Sequence, residues 1–215
     1  MNEITGKIAV YFTNNMSAYL IAIREHIYLS LISLLVAMLI GITLGIICVR
    51  FSSGQKWIVG VFQVLRIVPS LAILVMLIPV MGVGVKPAVV ALVLLAMPPV
   101  LMNTVAGLEQ VPLFIIETSE GMGMADSQIW RSVRLPLALP LILAGVKIAM
   151  IEIIASTTLA AAIGAGGIGK IIFTGLGLNR ADLLVIGGLT VALLSLAAGI
   201  LMDLLDRIIL KYKYV

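Results

Sequence analysis

Charge is scarce in this sequence. Asp, Glu, Lys and Arg make up 11% of its 215 residues, whereas 62% are apolar. A water-soluble domain carries about a quarter charged residues and no more than about half apolar ones. A chain of this length cannot hide so much apolar surface in a core of its own. A soluble globular protein is therefore excluded, and the bilayer is the solvent. The net charge is only +4, with no Lys/Arg run. Nucleic acid, which needs a dense basic face, is excluded as a partner. One cysteine and one histidine, Cys48 and His26, are too few for a metal centre of about three or four ligands. Cys48 lies in an apolar stretch and reads as a small apolar filler. Residues 1–24 also lack the basic-then-apolar order of a cleavable signal peptide. They carry Lys7, Thr13, Asn14 and Asn15 instead, so the first span is expected to serve as the insertion signal itself.

What the chain has in abundance is long apolar sequence. A crossing helix needs about 20 mostly apolar residues. Five stretches qualify: 27–49, 57–80, 87–108, 137–159 and 183–202. The second is interrupted by Arg66 and Pro69, the third holds Pro98-Pro99 at its middle, and the fourth carries Lys147 and Glu152. These stretches predict an all-α, polytopic membrane protein of about five transmembrane helices. Residues 4–22 are expected to form a short helix on the membrane surface. No internal repeat or linker divides the chain. The expected layout is an N-terminal segment over 1–24, one transmembrane domain over 25–206 and a basic tail over 207–215.

Five spans place the two termini on opposite sides, and Lys and Arg collect on the cytoplasmic side. With the C-terminus inside, the inner segments hold Arg50, Lys56, Arg131, Arg134, Arg207, Lys211 and Lys213. The outer segments hold Lys7, Arg24, Lys86, Lys170 and Arg180. Seven against five favours an outer N-terminus, a cytoplasmic C-terminus and a cytoplasmic segment 109–136.

That segment is the most informative. It reads Glu117-Thr118-Ser119, then Gly123 after three residues, then Val133-Arg134-Leu135-Pro136 after nine more. Residues from Glu117 to Gly121 can form one or two helical turns, and Gly123 permits a backbone closed to other residues. A second short helix over 126–133 follows, with Asp126 as its expected N-cap. Pro136 opens the next span, where its missing N–H costs nothing. Met122, Met124 and Ile129 are apolar in an otherwise polar loop. An exposed apolar knob needs a partner groove.

This spacing resembles the loop signature of ABC importer permeases: Glu-Ala-Ala, three residues, Gly, nine residues, Ile-x-Leu-Pro. Thr-Ser replaces Ala-Ala and Val replaces Ile. Further stretches are similar to the branch importing glycine betaine, carnitine and choline. They are Arg66-Ile67-Val68-Pro69-Ser70-Leu71-Ala72, Asn103-Thr104-Val105-Ala106-Gly107-Leu108, Gly121-Met122-Gly123-Met124, and the run from Thr158 to Gly169. The resemblance implies a type I importer permease fold, with a coupling helix between spans three and four. The implied coupling residues are Glu117, Thr118, Ser119, Gly121, Met122, Gly123, Met124, Ala125, Leu135 and Pro136. It also implies ABC ATPase subunits carrying ATP and Mg, an extracytoplasmic solute-binding protein and a second permease chain, identical or homologous. No catalytic residue, cofactor or metal is expected on this chain.

Two strings imitate nucleotide sites. The run from Gly164 to Ile171 contains Gly-x-Gly-x-x-Gly and nearly a P-loop, but Ile171 cannot hold magnesium as Ser or Thr would. Both motifs need a preceding strand, and here a span precedes. The glycines are expected to serve tight turns and close packing. Ser52-Ser53-Gly54-Gln55 imitates the ATPase signature in a short loop, with no nucleotide domain around it.

Charges within spans usually face protein or water. Arg66, Lys147 and Glu152 are the candidates, with Ser70, Asn103 and Thr157 as polar neighbours. Each could line a solute path, tie helices together, or bond its own helix backbone. Lys147 and Glu152 lie five residues apart, about 140° around a helix, and so do not share a face. Glu152 is expected to meet Arg66 or a charge on a partner chain. Pro69, Pro79, Pro98 and Pro99 are expected to free backbone carbonyls, giving broken helices that line a cavity. Among rivals, an amino-acid permease shares the loop. An ion-coupled transporter would show inverted repeats, and none is visible. A membrane enzyme would need several convergent titratable groups at one depth.

Overall fold

The computed structural model describes residues 2–210 and, within them, the side chains of residues 4–51 and 54–210. Lys211 and Lys213 of the expected tail, and the side chains of Ser52 and Ser53, lie outside the described residues. The chain forms α1 (Asn2–Arg50), α2 (Ser52–Ile67), α3 (Ser70–Met81), α4 (Val85–Glu109), α5 (Leu113–Gly121), α6 (Asp126–Ile129), α7 (Leu135–Ala160), α8 (Gly169–Gly177) and α9 (Ala181–Ile209). A π turn, Trp130–Arg134, joins α6 to α7. Lipid offers the backbone no partners, so each segment satisfies its own N–H and C=O groups as helix.

Four helical segments are long and apolar enough to cross a bilayer alone: Ile4–Arg50, Val85–Glu109, Asp126–Ile163 and Ala181–Ile209. The stretch 57–80 is not one straight span. It is α2 and α3, bent by 100°. The residue before a proline is pushed out of the helical region, and Val68 accordingly takes φ −69, ψ 126. The bent pair still runs the length of the bundle. Near its start Gln55 donates to Glu109 at the end of α4, 2.6 Å away. Just past its end Gly84 donates to the Ile163 carbonyl, 2.7 Å away, beyond the far end of α7. It is the fifth crossing. Of the prolines expected to break spans, only Pro69 does so. α3 continues through Pro79, and α4 through Pro98 and Pro99.

Residues 4–22 are helical but do not form a separate surface helix. They belong to α1, which bends at Asn15 (φ −127, ψ 18). This half of α1 packs Tyr11, Phe12, Tyr19 and Ala22 against Ile171, Leu183 and Ile186. The Tyr19 hydroxyl lies 2.8 Å from that of Thr190, which satisfies the polar tip of a part-buried ring.

The core centres on α4, held between α1 and α7 by glycines. A Cβ on Gly41 would stand 2.9 Å from Val100, and one on Gly45 would stand 2.7 Å from Thr104. On the other flank, a Cβ on Gly107 would stand 2.8 Å from the Ala138 carbonyl. Gly145 of α7 is similarly pressed against Asn103 and Pro99. Within lipid, helices associate by close packing rather than by expelling water, so small residues collect at their contacts.

Candidate functional site

Residues 109–136 form a compact unit at one end of the bundle. The amides of Met122, Gly123 and Met124 bond back to the carbonyls of Thr118, Glu120 and Ser119 at 3.0, 2.9 and 3.2 Å. Gly123 takes φ +81, a left-handed turn that ends α5 and starts the return. The N-cap of α6 is Ala125, not Asp126. The Ala125 amide donates to Gln128 Oε1 at 2.9 Å, and Asp126 turns to Arg50 at 3.6 Å. The helix expected over 126–133 does not stop there. It runs unbroken into span four as Asp126–Ile163. Pro136 has no N–H to give the Ser132 carbonyl. The wider register, in which the Leu135 amide reaches the Trp130 carbonyl, absorbs that missing donor.

Met124 and Ile129 are not outward knobs. They pack with Val111, Ile116 and Val133 into a small core beneath the turn. Met122 is 70% exposed, and Leu113 and Phe114, which the sequence pattern did not single out, are exposed as well. The departures from Ala-Ala have a local explanation. Thr118 and Ser119 return their hydroxyls to the carbonyls of Phe114 and Ile115 at 2.6 and 2.7 Å. Glu117 is exposed.

Trp130 ties this unit to the bundle, and nothing in the sequence marked it. Its ring is buried among Leu108, Ala138 and Ile142. The guanidinium groups of Arg134 and Arg50 lie 5.0 and 5.9 Å from its centre, within cation–π range. The ring thus joins the end of α1, the end of α4 and the base of α7. Trp130→Ala is expected to cost about 3 kcal/mol or more and to speed proteolysis of the loop, whereas Trp130→Phe retains most of the packing. Thermal unfolding of the purified chain checks this, and an unchanged transition would show that the ring is not structural.

The six candidate path residues divide. Lys147 pairs with Asp203 of α9 at 2.5 Å, one residue beyond the stretch 183–202. Thr157 is fully buried, bonded to Ile153 O at 2.8 Å and Ser30 at 3.1 Å. Asn103 donates to Pro99 O at 2.8 Å. Ser70 is the first residue of α3, just past the break. Arg66 is exposed in the last turn of α2. It lies within electrostatic reach of half-buried Glu152. No bridge within 4.0 Å joins the two among the described ion pairs.

At the opposite end, Gly164, Gly166 and Gly167 take φ of +80, +95 and +78. The Gly167 amide donates to Glu25 Oε2 at 2.8 Å, and Lys170 joins at 3.2 Å. A Cβ on Gly166 would stand 2.4 Å from that same oxygen. The turn thus presents one backbone amide, that of Gly167, to the chain's own carboxylate. Gly169 presses on the Thr158 carbonyl, where a Cβ would sit 2.0 Å away.

A polytopic helical bundle with a two-helix loop at one end is the architecture of a membrane transport subunit. Comparison with known proteins gives the family. The binding-protein-dependent transport system inner membrane component matches residues 12–211, and the chain belongs to that family of ABC importer permeases. A carnitine transport permease, OpuCB of Listeria monocytogenes, is 38% identical over 88% of this chain and 87% of its own. A choline transport permease, OpuBB of Bacillus subtilis, is 36% identical over 93% and 92%. The osmoprotectant import permease OsmY of Salmonella typhimurium is 36% identical over 86% and 79%. The fold is also that of a chain in the inward-facing MetNI methionine ABC transporter, with TM-score 0.82 and 23% identity over 90% of this chain and 97% of that one. An amino acid ABC transporter crystallised with histidines gives 0.79 at 17% identity over 92% and 97%. At those identities the likeness is one of fold alone.

Proposed function

We propose that this chain is the permease through which an ATP-driven importer takes up a small osmoprotectant of the glycine betaine, carnitine or choline type. The observation that carries this is the set of relatives named for carnitine, choline and osmoprotectant transport. They are 36–38% identical and match 86–93% of this chain. ATP and Mg are held by separate ATPase subunits, which dock on the loop from Glu117 to Ala125. Leu113, Phe114 and Met122 supply the apolar contacts that an ATPase groove covers. The loop lies in the cytoplasm with the C-terminus, because Arg50, Arg131 and Arg134 gather at that end. A solute-binding protein delivers cargo at the other end, a second permease chain completes the path, and alternating access moves the cargo.

The test is uptake of labelled glycine betaine, carnitine and choline into proteoliposomes holding the chain, its ATPase and its binding protein, with ATP enclosed. Uptake that requires ATP and ignores ionophores is the expected result. Uptake that ignores ATP and collapses with an ion gradient would overturn the reading. Labelled methionine in parallel tests the amino-acid alternative, to which the likeness of fold alone points.

A further inference from the structure

We propose that His26 is a proton-binding site beneath the glycine turn, at the end of the bundle opposite the two-helix loop, and that a proton taken up there releases the turn from α1. The clasp between Glu25 and Gly167 is then closed at neutral pH and loosened in acid.

The ring is held on one side only. His26 is fully buried, and its Nε2 lies 3.0 Å from the Ile154 carbonyl of α7. A carbonyl oxygen only accepts, so Nε2 carries the hydrogen and Nδ1 is the bare acceptor of a neutral ring. That Nδ1 is buried and has no hydrogen-bond partner among the described residues. A buried polar atom left unpaired is uncommon and calls for a reason. What lies against it is the turn. A Cβ on Gly167 would stand 3.2 Å from Nδ1. The Gly167 amide is directed to Glu25, 2.8 Å away, and not to the ring. One glycine thus sits against the histidine and bonds the residue before it.

A proton on Nδ1 gives the ring a charge and a second donor, and its surroundings answer neither. α9 presents Leu194, Ala197 and Ala198 across an apolar cavity of about 240 Å³ that His26 also lines, and its stretch 183–202 holds no charge. From α7 come Met150 and Ile154, the latter with its carbonyl already engaged. Glu152 precedes Ile154 by two residues and so lies about 200° around that helix. Thr157 is bonded to Ser30 and Ile153. The segment after the turn brings Lys170, a cation, 3.2 Å from Glu25. Glu25, the adjoining carboxylate on α1, is taken by Gly167 and Lys170. An unpaired charge is not tolerated in such a place, whereas lifting the turn opens Nδ1 to water. Proton uptake and opening are therefore coupled. The sign follows. The clasp has its full strength above the ordinary titration of imidazole, at about pH 6.5, and loses about tenfold in its closing equilibrium for each pH unit below that. A carboxylate such as Glu25 ordinarily titrates about two pH units lower, which separates the two groups.

The chain has a single histidine, so ring-nitrogen NMR of isotope-labelled histidine reports this ring alone in the full-length, unsubstituted protein. In nanodiscs at about pH 7.5 the expected state is a neutral ring with its hydrogen on Nε2. Hydrogen exchange, corrected for its intrinsic dependence on pH, is expected to show residues 164–168 protected. At about pH 5.5 the ring is expected to carry both hydrogens, and that protection to fall about tenfold in step. A ring that stays neutral in acid overturns the proposal, and so does one that takes the proton while protection holds. Two variants localise the effect. His26→Gln keeps an amide donor for the Ile154 carbonyl but cannot charge, and it is expected to lose the acid step. Glu25→Gln is expected to lower protection at both pH values and to keep the step. A step of the same size in His26→Gln, or its loss in Glu25→Gln, would assign it to another group and sink the proposal. None of these readouts is uptake, so failure here leaves the importer reading to be decided by its own test.

Discussion

Gly123→Val is expected to lower ATP-driven uptake by about tenfold or more while the bundle stays folded. At φ +81 a side chain with a Cβ pays roughly 1–2 kcal/mol, and a branched one more. Nothing lies within 4 Å of a Cβ at this position, so the effect is not a clash. It is the backbone that resists. The turn cannot close, and the exit from α5 and the entry to α6 are redirected together. Gly188 is the control. It also has nothing within 4 Å of a Cβ but keeps a helical backbone in α9, so Gly188→Ala is expected to transport normally. Uptake and thermal unfolding measured side by side check both. A Gly123→Val chain that transports normally would show that the turn does not set the loop's geometry.

The second large effect concerns folding. Gly145→Val is expected to destabilise the chain by about 3 kcal/mol. A Cβ at Gly145 would stand 2.6 Å from the Cβ of Asn103 and 2.7 Å from the Pro99 carbonyl. A backbone oxygen in a packed helix cannot step aside, so α4 and α7 must separate. Gly199→Ala meets only the tip of Ile151 at 4.0 Å and is expected to change stability by no more than about 0.5 kcal/mol. Thermal unfolding in detergent distinguishes the two, and equal transitions would mean that α4 and α7 have slack.

The spans and the loop were legible for different reasons. Apolar length announces a crossing whatever its shape, so five crossings could be counted but the bend at Pro69 could not be told from its absence at Pro98 and Pro99. The residue type is the same, and the surroundings decide. The apolar window of α4 is 72% buried, so its neighbours hold it straight, whereas α2 and α3 lie against the bundle's side. The loop was readable because its constraints are local. Gly123 must turn and Pro136 cannot donate. Even there, which methionine points outward depends on Val111 and Ile116, and composition does not give that. Trp130 and Arg50 meet across 80 positions, and Glu25 meets Gly167 across 142. No periodicity carries such pairings. The spacing of Gly41 and Gly45 is a recognised packing signal and was available from the sequence.

The continuity of α6, the π turn and α7 has a mechanical consequence. Asp126–Ile163 spans 38 residues, a rod of about 57 Å at 1.5 Å per residue. If it tilts as one body, its pivot is where glycines press it on α4, at Ala138 and Gly145. With the pivot there, the far arm is about 27–38 Å long, and a tilt of about 5° displaces its tip by about 2–3 Å. That tip carries the glycine loop that grips Glu25. A tilt imposed at the loop would therefore reach that end of the bundle through one continuous helical segment, whose single irregularity before the span is the π turn at Trp130–Arg134.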